Sequence, residues 1–183
     1  MLKHHAGEYD DRTHGAPELR LTASEYSRPL RGSQALGRVG RVSIVNDFTT
    51  AFNRQDVGAL VACFTEGASY HDNFYGEHRG HAALRAMFER MFREGRDYTW
   101  AMDTVLESAD RAAAEWTFGY VVTDAVPRST GRKIGFRGMS LFELERGQIA
   151  AYREYFDSGQ ALLQLGFAPE ALAKVLRRKL EGH

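Results

Sequence analysis

A chain of 183 residues with 43% hydrophobic residues suits one domain plus an appendage and excludes wholesale disorder. Its 24 Lys and Arg balance 24 Asp and Glu, which leaves no basic footprint for nucleic acid and no polybasic membrane patch. Cys63 is the single cysteine, so no intramolecular disulfide forms, and no stretch approaches the roughly 20 apolar residues of a membrane span. Without an apolar signal core at the N-terminus, the expected location is the cytoplasm.

Residues 1–40 read as a flexible N-terminal extension, because His4, His5, Asp10, Asp11, His14, Pro17, Pro29, Gly32 and Gly37 interrupt any helical or strand period. Residues 41–183 form the expected single domain. Val42, Val45, Phe48, Thr49 and Phe52 recur at helical spacing, and Asn53-Arg54-Gln55 closes that helix. Asp56 reads as the N-cap of a second short helix carrying Val57, Leu60, Val61 and Phe64, with Glu66-Gly67 ending it. A short strand is expected over Ala68 to Phe74, with Tyr70, Asp72 and Phe74 on one face. Gly76 and Gly80 then bracket a loop. His81 to Arg93 is amphipathic, with Leu84, Met87, Phe88, Met91 and Phe92 as its apolar stripe.

Four alternating strands follow. The first runs from Tyr98 to Leu106, with Tyr98, Trp100, Met102, Thr104 and Leu106 on one face. The second, Ala112 to Val122, aligns Ala114, Trp116, Phe118 and Tyr120, and a loop through Pro127, Ser129 and Gly131 leads onward. The third, Ile134 to Leu144, aligns Phe136, Gly138, Ser140, Phe142 and Leu144. The fourth follows the tight Glu145-Arg146-Gly147 turn and presents Ala150, Tyr152, Glu154 and Phe156 together. A helix from Pro169, carrying Leu172, Val175, Leu176 and Leu180, ends the chain. The pattern predicts an α+β fold: a cone-shaped, curved, mostly antiparallel sheet with helices packed on its concave side.

Glu154 stands where a core strand would place Val or Leu. A carboxylate facing an apolar interior is unfavourable unless it is paired, protonated or used. Inward parity on a separate strand gives it a partner, Asp72. The surroundings of the pair are then Tyr70, Trp116, Phe118, Phe136, Phe142, Tyr152 and Phe156. Burial and mutual repulsion should raise at least one carboxyl pKa toward neutrality, which suits a general acid or base. The competing reading is a carboxylate satisfied by a neighbour, for instance Glu154 accepting from the Trp116 indole. His71 has outward parity, and His71, His78 and His81 lack the spacing of a metal site, so no metal is expected. Arg137 and Arg153 also fall on outward faces. No phosphate loop, dinucleotide fingerprint or nucleophile elbow is present.

The segment from Phe64-Thr65-Glu66-Gly67 through Tyr70-His71-Asp72-Asn73-Phe74 to Gly76, then Arg79-Gly80-His81-Ala82-Ala83-Leu84, resembles the nuclear transport factor 2-like superfamily. So does the ending from Gly147-Gln148-Ile149 to Tyr155-Phe156-Asp157. The nearest likeness is to its SnoaL-like branch, with polyketide cyclases, ketosteroid isomerases and limonene epoxide hydrolases, over about Val42 to Gly166. The resemblance implies a cone-shaped pocket, no cofactor and sheet-mediated homodimers. An outward row of Thr99, Thr117, Val121, Met139 and Leu141 is compatible with such pairing. Asp72 matches the proton-shuttling Asp of ketosteroid isomerases, while Phe48 and Ser140 stand in place of their oxyanion-hole residues. Against limonene epoxide hydrolases, Glu154 matches a catalytic carboxylate and Tyr70 a water-positioning Tyr, Asp72 replaces an Asn, and Trp116 and Phe118 replace an Arg and a second Asp.

The expectation is therefore an acid–base enzyme of isomerase, cyclase or hydrolase type acting on a small hydrophobic molecule. Asp72, Glu154 and Tyr70 are its catalytic set, and Phe48, Trp116, Phe118, Phe136, Phe142, Tyr152 and Phe156 line the substrate. The alternative of another class is a non-catalytic ligand-binding or dimerisation module of the same fold.

Overall fold

A computed structural model describes residues 43–181. The extension expected over residues 1–40 lies outside the described residues. The first helix, α1 (Ile44–Asn53), buries Val45, Phe48, Ala51 and Phe52 along one stripe. Its last residue ties it to the sheet: Asn53 Nδ2 donates to the Trp100 carbonyl and the Trp100 amide donates to Asn53 Oδ1, both at 2.8 Å. Helix α2 (Val57–Ala62) starts at Asp56, whose side chain accepts from the Ala59 amide, a standard N-cap. Cys63 caps its other end and is buried, and burial, helped by Asp47, pushes its thiol up to about 11. It is a neutral core side chain.

The next element differs from expectation. Strand β1 (Phe64–Asp72) begins as soon as α2 ends, so Phe64 belongs to the sheet and Glu66-Gly67 lies inside a strand. Buried Phe64 satisfies a helix stripe and a strand face equally well, which is why period alone misplaced it. The presumed Gly76–Gly80 loop holds a short strand, β2 (Gly76–Arg79), paired antiparallel with β1. Helix α3 (Gly80–Glu94) follows and buries Leu84, Met87, Phe88 and Met91.

Strands β3 (Gly95–Glu107), β4 (Arg111–Val122), β5 (Lys133–Glu145) and β6 (Gln148–Phe156) form the expected antiparallel meander. The β5–β6 hairpin turns on Arg146 and Gly147, both at positive φ (53° and 85°), as a tight right-twisted hairpin requires. The sheet order is β2-β1-β6-β5-β4-β3, with β1 parallel to β6. That parallel pairing brings Tyr70 opposite Tyr152, and so sets the two strands that bear carboxylates side by side. Two further helices follow, α4 (Ser158–Gln164) and α5 (Pro169–Glu181). The first was not expected, although Asp157 caps it by accepting from the Gln160 amide at 3.0 Å.

Two irregularities overturn strict alternation. Between Met102 and Thr104 the β3–β4 register shifts, so Val105 packs on the core while Leu106, expected to face inward, is exposed. A second shift between Glu143 and Leu144 brings Ile149 into the interior. One extra residue in a strand inverts every side chain beyond it.

Aromatic packing fixes the interior. Phe52 alone meets the rings of Phe88, Phe92, Tyr98, Trp100 and Phe118 at centroid distances of 4.8–6.4 Å. A buried Phe of this kind contributes about 1.5–3 kcal/mol. Trp116 lies against its cross-strand partner Gly138, where a Cβ would come within 2.5 Å of the indole and 2.6 Å of the Tyr155 carbonyl. Gly138→Ala is expected to destabilise the fold by about 1–3 kcal/mol through displacement of Trp116, read as a lower unfolding midpoint in urea.

Candidate active site

The inner face of the sheet, α1 and α3 line a cavity of about 40 Å³ that opens to solvent. Eleven of its 14 lining residues are aromatic, and the other three are Met91, Asp72 and Glu154. Asp72 and Glu154 thus supply the carboxyls of this lining, and both residues are nearly inaccessible, at 3% and 6% exposure.

Asp72 closes β1 with an Asx turn. Its Oδ1 accepts from the amides of Phe74 (2.5 Å) and Tyr75 (2.8 Å). Burial raises its pKa, opposed by those two amides and by a hydrogen bond from Glu154. Glu154 lies on the adjacent strand, β6. Its Oε1 accepts from the Asn73 amide at 3.3 Å and its Oε2 from the Tyr152 hydroxyl at 3.0 Å. Burial raises its pKa well above the ordinary carboxyl range, and the Asp72 charge raises it further. Asp72 accepts two backbone N–H bonds at 2.5 and 2.8 Å and Glu154 two longer bonds at 3.3 and 3.0 Å, and the Asp72 charge adds to burial in raising Glu154, so of the two carboxyls Glu154 holds its proton the more strongly. Two carboxyls that interact in this way titrate as a pair.

The alternative that Trp116 satisfies Glu154 directly does not hold, because a relay intervenes. Trp116 Nε1 donates to Ser140 Oγ at 2.7 Å, Ser140 Oγ meets the Tyr152 hydroxyl at 2.7 Å, and Tyr152 reaches Glu154. An indole N–H only donates. Ser140 therefore accepts from Trp116 and passes its own hydrogen to Tyr152, which passes its hydrogen to Glu154. The chain is polarised toward the carboxyl and holds it in place. Tyr152→Phe breaks it, leaving the Ser140 hydroxyl without its acceptor and Glu154 Oε2 without its donor. The expected results are a loss of about 1–2 kcal/mol in stability and a further rise in the Glu154 pKa, seen in carboxyl-carbon NMR titration.

Tyr70 stacks on Tyr152 with ring centroids 4.3 Å apart, and its hydroxyl meets no partner in hydrogen-bonding geometry. Burial, with Tyr152 and both carboxyls nearby, keeps this phenol neutral. At the mouth, the Tyr75 hydroxyl donates to Glu94 Oε2 (2.6 Å), and Arg90 binds Glu94 Oε1 (2.8 Å) while lying 5.0 Å over the Tyr75 ring. Burial also raises the Tyr120 phenol, to about 12.

Of the residues expected to line the ligand, Trp116, Phe118, Phe136 and Phe156 do so together with Asp72, Glu154 and Tyr70. Phe48, Phe142 and Tyr152 do not. They are fully buried and pack on one another at 5.1–6.0 Å behind the cavity wall. The reason is α1, whose Phe48 fills the interior over those strands, so inward parity there leads into packed core. Phe52, Phe74, Tyr75, Met91, Tyr98, Trp100 and Tyr120 line the cavity and were not chosen from sequence. Inward parity marked Tyr98, Trp100 and Tyr120, whereas Tyr75 sits in a turn where parity is undefined.

His71 is exposed, and His78 and His81 bond the carbonyls of Tyr75 and Phe64. Among the described residues no group of three His, Cys, Asp or Glu side chains is disposed to hold a metal ion. Arg137 pairs with Asp103 and Glu115, and Arg153 with Glu143, all on the outer face. No described helix is long and apolar enough to cross a membrane.

Among the described residues, a curved six-stranded sheet with five α-helices is the fold of nuclear transport factor 2-like proteins. The SnoaL-like domain model matches residues 45–152, more than half of the chain, and the chain belongs to that family. Among solved structures, one similar chain is a hypothetical protein with a ketosteroid isomerase-like fold from Catenulispora acidiphila, in complex with trimethylamine. It is 15% identical, with TM-score 0.62, covering 70% of this chain and 96% of that one. A candidate polyketide cyclase from Pseudomonas putida is 25% identical, with TM-score 0.57, covering 68% and 98%. An epoxide hydrolase of the limonene type from Mycobacterium tuberculosis is 17% identical, with TM-score 0.56, covering 74% and 93%. No curated protein sequence matches the chain.

Proposed function

We propose that the chain is a cofactor-independent acid–base enzyme acting on a small, largely hydrophobic ring compound. The observation that supports this best is the Asp72–Glu154 pair, two neighbouring carboxyls buried at one aromatic cavity with both pKa values raised; in this reading Asp72 carries the charge and Glu154 the proton. Asp72 is the general base and Glu154 the general acid, and Tyr70 orients the reacting group. The elementary step is proton removal from a carbon next to a carbonyl. Asp72 takes the proton, the C–H electron pair moves into an enolate, and Glu154 donates to the enolate oxygen. Isomerisation returns the proton to another carbon, and cyclisation uses the enolate carbon as nucleophile. The likeness to a candidate polyketide cyclase, which this chain covers almost completely, favours carbon-acid chemistry over epoxide opening.

The step has a direct assay. Incubated in D₂O with a panel of bicyclic and aromatic ketones, the protein should accelerate exchange of the hydrogens next to the carbonyl, followed by proton NMR. The Asp72→Asn protein should not. Ligand binding without exchange by the unaltered protein across the panel would move the reading to a non-catalytic binder.

The outer sheet face suits a homodimer contact. Met139 and Tyr155 are cross-strand neighbours, 53% and 60% exposed, beside Leu141 in a broad shallow depression. Sedimentation should give twice the chain mass at micromolar concentration, and Met139→Lys with Tyr155→Lys should give the monomer.

A further inference from the structure

Among the described residues two buried polar side-chain atoms meet no hydrogen-bond partner, Tyr70 Oη and Trp100 Nε1. Both side chains line the same cavity. Folded proteins leave few buried donors unpaired, because such a group loses water and gains nothing. The indole N–H has no way to accept, so a water or ligand acceptor alone satisfies it. The chain's other indole shows the usual outcome, since Trp116 Nε1 donates to Ser140. Around the Trp100 ring stand Phe52, Phe48, Phe118 and Trp116, at 4.8, 5.2, 5.2 and 5.7 Å, none of which offers an acceptor, and Tyr152 at 6.5 Å, whose hydroxyl is engaged by Ser140 and Glu154 and is not bonded by the indole. Its main chain is clamped on both sides by the Asn53 amide group, so the ring is held firmly in the wall.

We infer that Trp100 is a specificity-determining residue whose Nε1–H donates to an acceptor oxygen of the ligand, so that the site selects oxygenated ring compounds over hydrocarbons and ammonium ions. Tyr70 Oη offers a second donor on the same wall. A preorganised donor in a dry site strengthens as charge gathers on the oxygen it holds. That catalytic consequence rests on the acid–base reading above, whereas the binding preference stands without it. An ammonium ion could be drawn to the aromatic rings and the Asp72 charge, but it would leave the indole unpaired.

The test uses the full chain and three probes of one shape: 1-tetralone, tetralin and protonated 1-aminotetralin. With two tryptophans in the chain, the indole region of a nitrogen–proton correlation spectrum holds two signals, assigned through Trp100→Phe. The ketone should move the Trp100 indole proton downfield beyond any shift caused by tetralin and leave the Trp116 signal in place. Ketone affinity should exceed those of tetralin and the ammonium, and the ketone-to-tetralin ratio should fall about five- to tenfold in Trp100→Phe, the loss of one neutral hydrogen bond. Taking a ratio cancels the packing change from the smaller ring, and the shift in the unaltered protein stands even if that variant folds poorly. An unmoved Trp100 signal at saturating ketone, equal affinity for ketone and tetralin, tightest binding by the ammonium, or no ketone binding at millimolar concentration overturns the inference. A Trp100 shift by ketone without any deuterium exchange overturns only the catalytic reading, because the titration reads binding alone.

Discussion

Asp72→Asn is expected to lower turnover of a productive substrate by about 10²–10⁴-fold while leaving the fold and ligand affinity nearly unchanged, the range spanned by loss of a positioned base. Asn has the shape of Asp, and its side-chain oxygen can still accept the Phe74 and Tyr75 amides that end β1. The local turn therefore survives. What disappears is the negative charge beside Glu154 and the lone pair that takes a proton. Asn offers no base at neutral pH, and burial, the largest cause of the raised Glu154 pKa, still opposes ionisation of Glu154 without the charge of Asp72. Glu154 cannot take over the abstraction unaided. The measurement is kcat with KM and the unfolding midpoint on the same preparation. A drop in kcat alone supports the assignment, and equal activity in folded Asp72→Asn and Glu154→Gln proteins would remove both from the mechanism.

The sequence made the carboxyl pair legible because alternation is a strong constraint on a half-buried strand. Glu154 and Asp72 stand at inward parity among aromatics, and the parallel β1–β6 pairing places their strands side by side. That pairing itself was not legible, since strand order depends on long-range contacts that no local period encodes. Parity failed where the backbone departs from regularity. The shift after Met102 exposed Leu106, and Phe64 fitted two periods at once. Parity also has no depth. Phe48, Phe142 and Tyr152 point inward as expected, yet one helix residue turns their part of the interior into solid core. The relay to Glu154 is illegible for a related reason: Trp116, Ser140 and Tyr152 lie on three different strands, and only register brings Trp116 and Tyr152 each to 2.7 Å of Ser140.

Glu154→Gln is expected to be inactive to a similar degree and yet more stable than the natural chain, by a margin that widens with pH. The sign follows from the proton count. Glu154 has a folded-state pKa raised above its unfolded value, so the folded chain binds the extra proton. Stability from that proton is fully present below the ordinary glutamate range and is lost as pH rises through the raised folded value. Above it, the folded protein must hold a second charge beside Asp72 in an aromatic cavity. Gln ionises at neither pH. Its amide N–H₂ can donate to Asp72 as the carboxyl proton does, and its oxygen can accept from Tyr152 or Asn73. Near pH 5 the two proteins should therefore unfold at similar urea concentrations, with the variant moving ahead at pH 7 and further at pH 9. A margin independent of pH would mean that Glu154 is already ionised in the fold, and the shared proton, with the acid–base pair built on it, would have to be abandoned. A widening margin together with lost turnover identifies a group kept at the expense of stability, as expected of a carboxyl retained for chemistry.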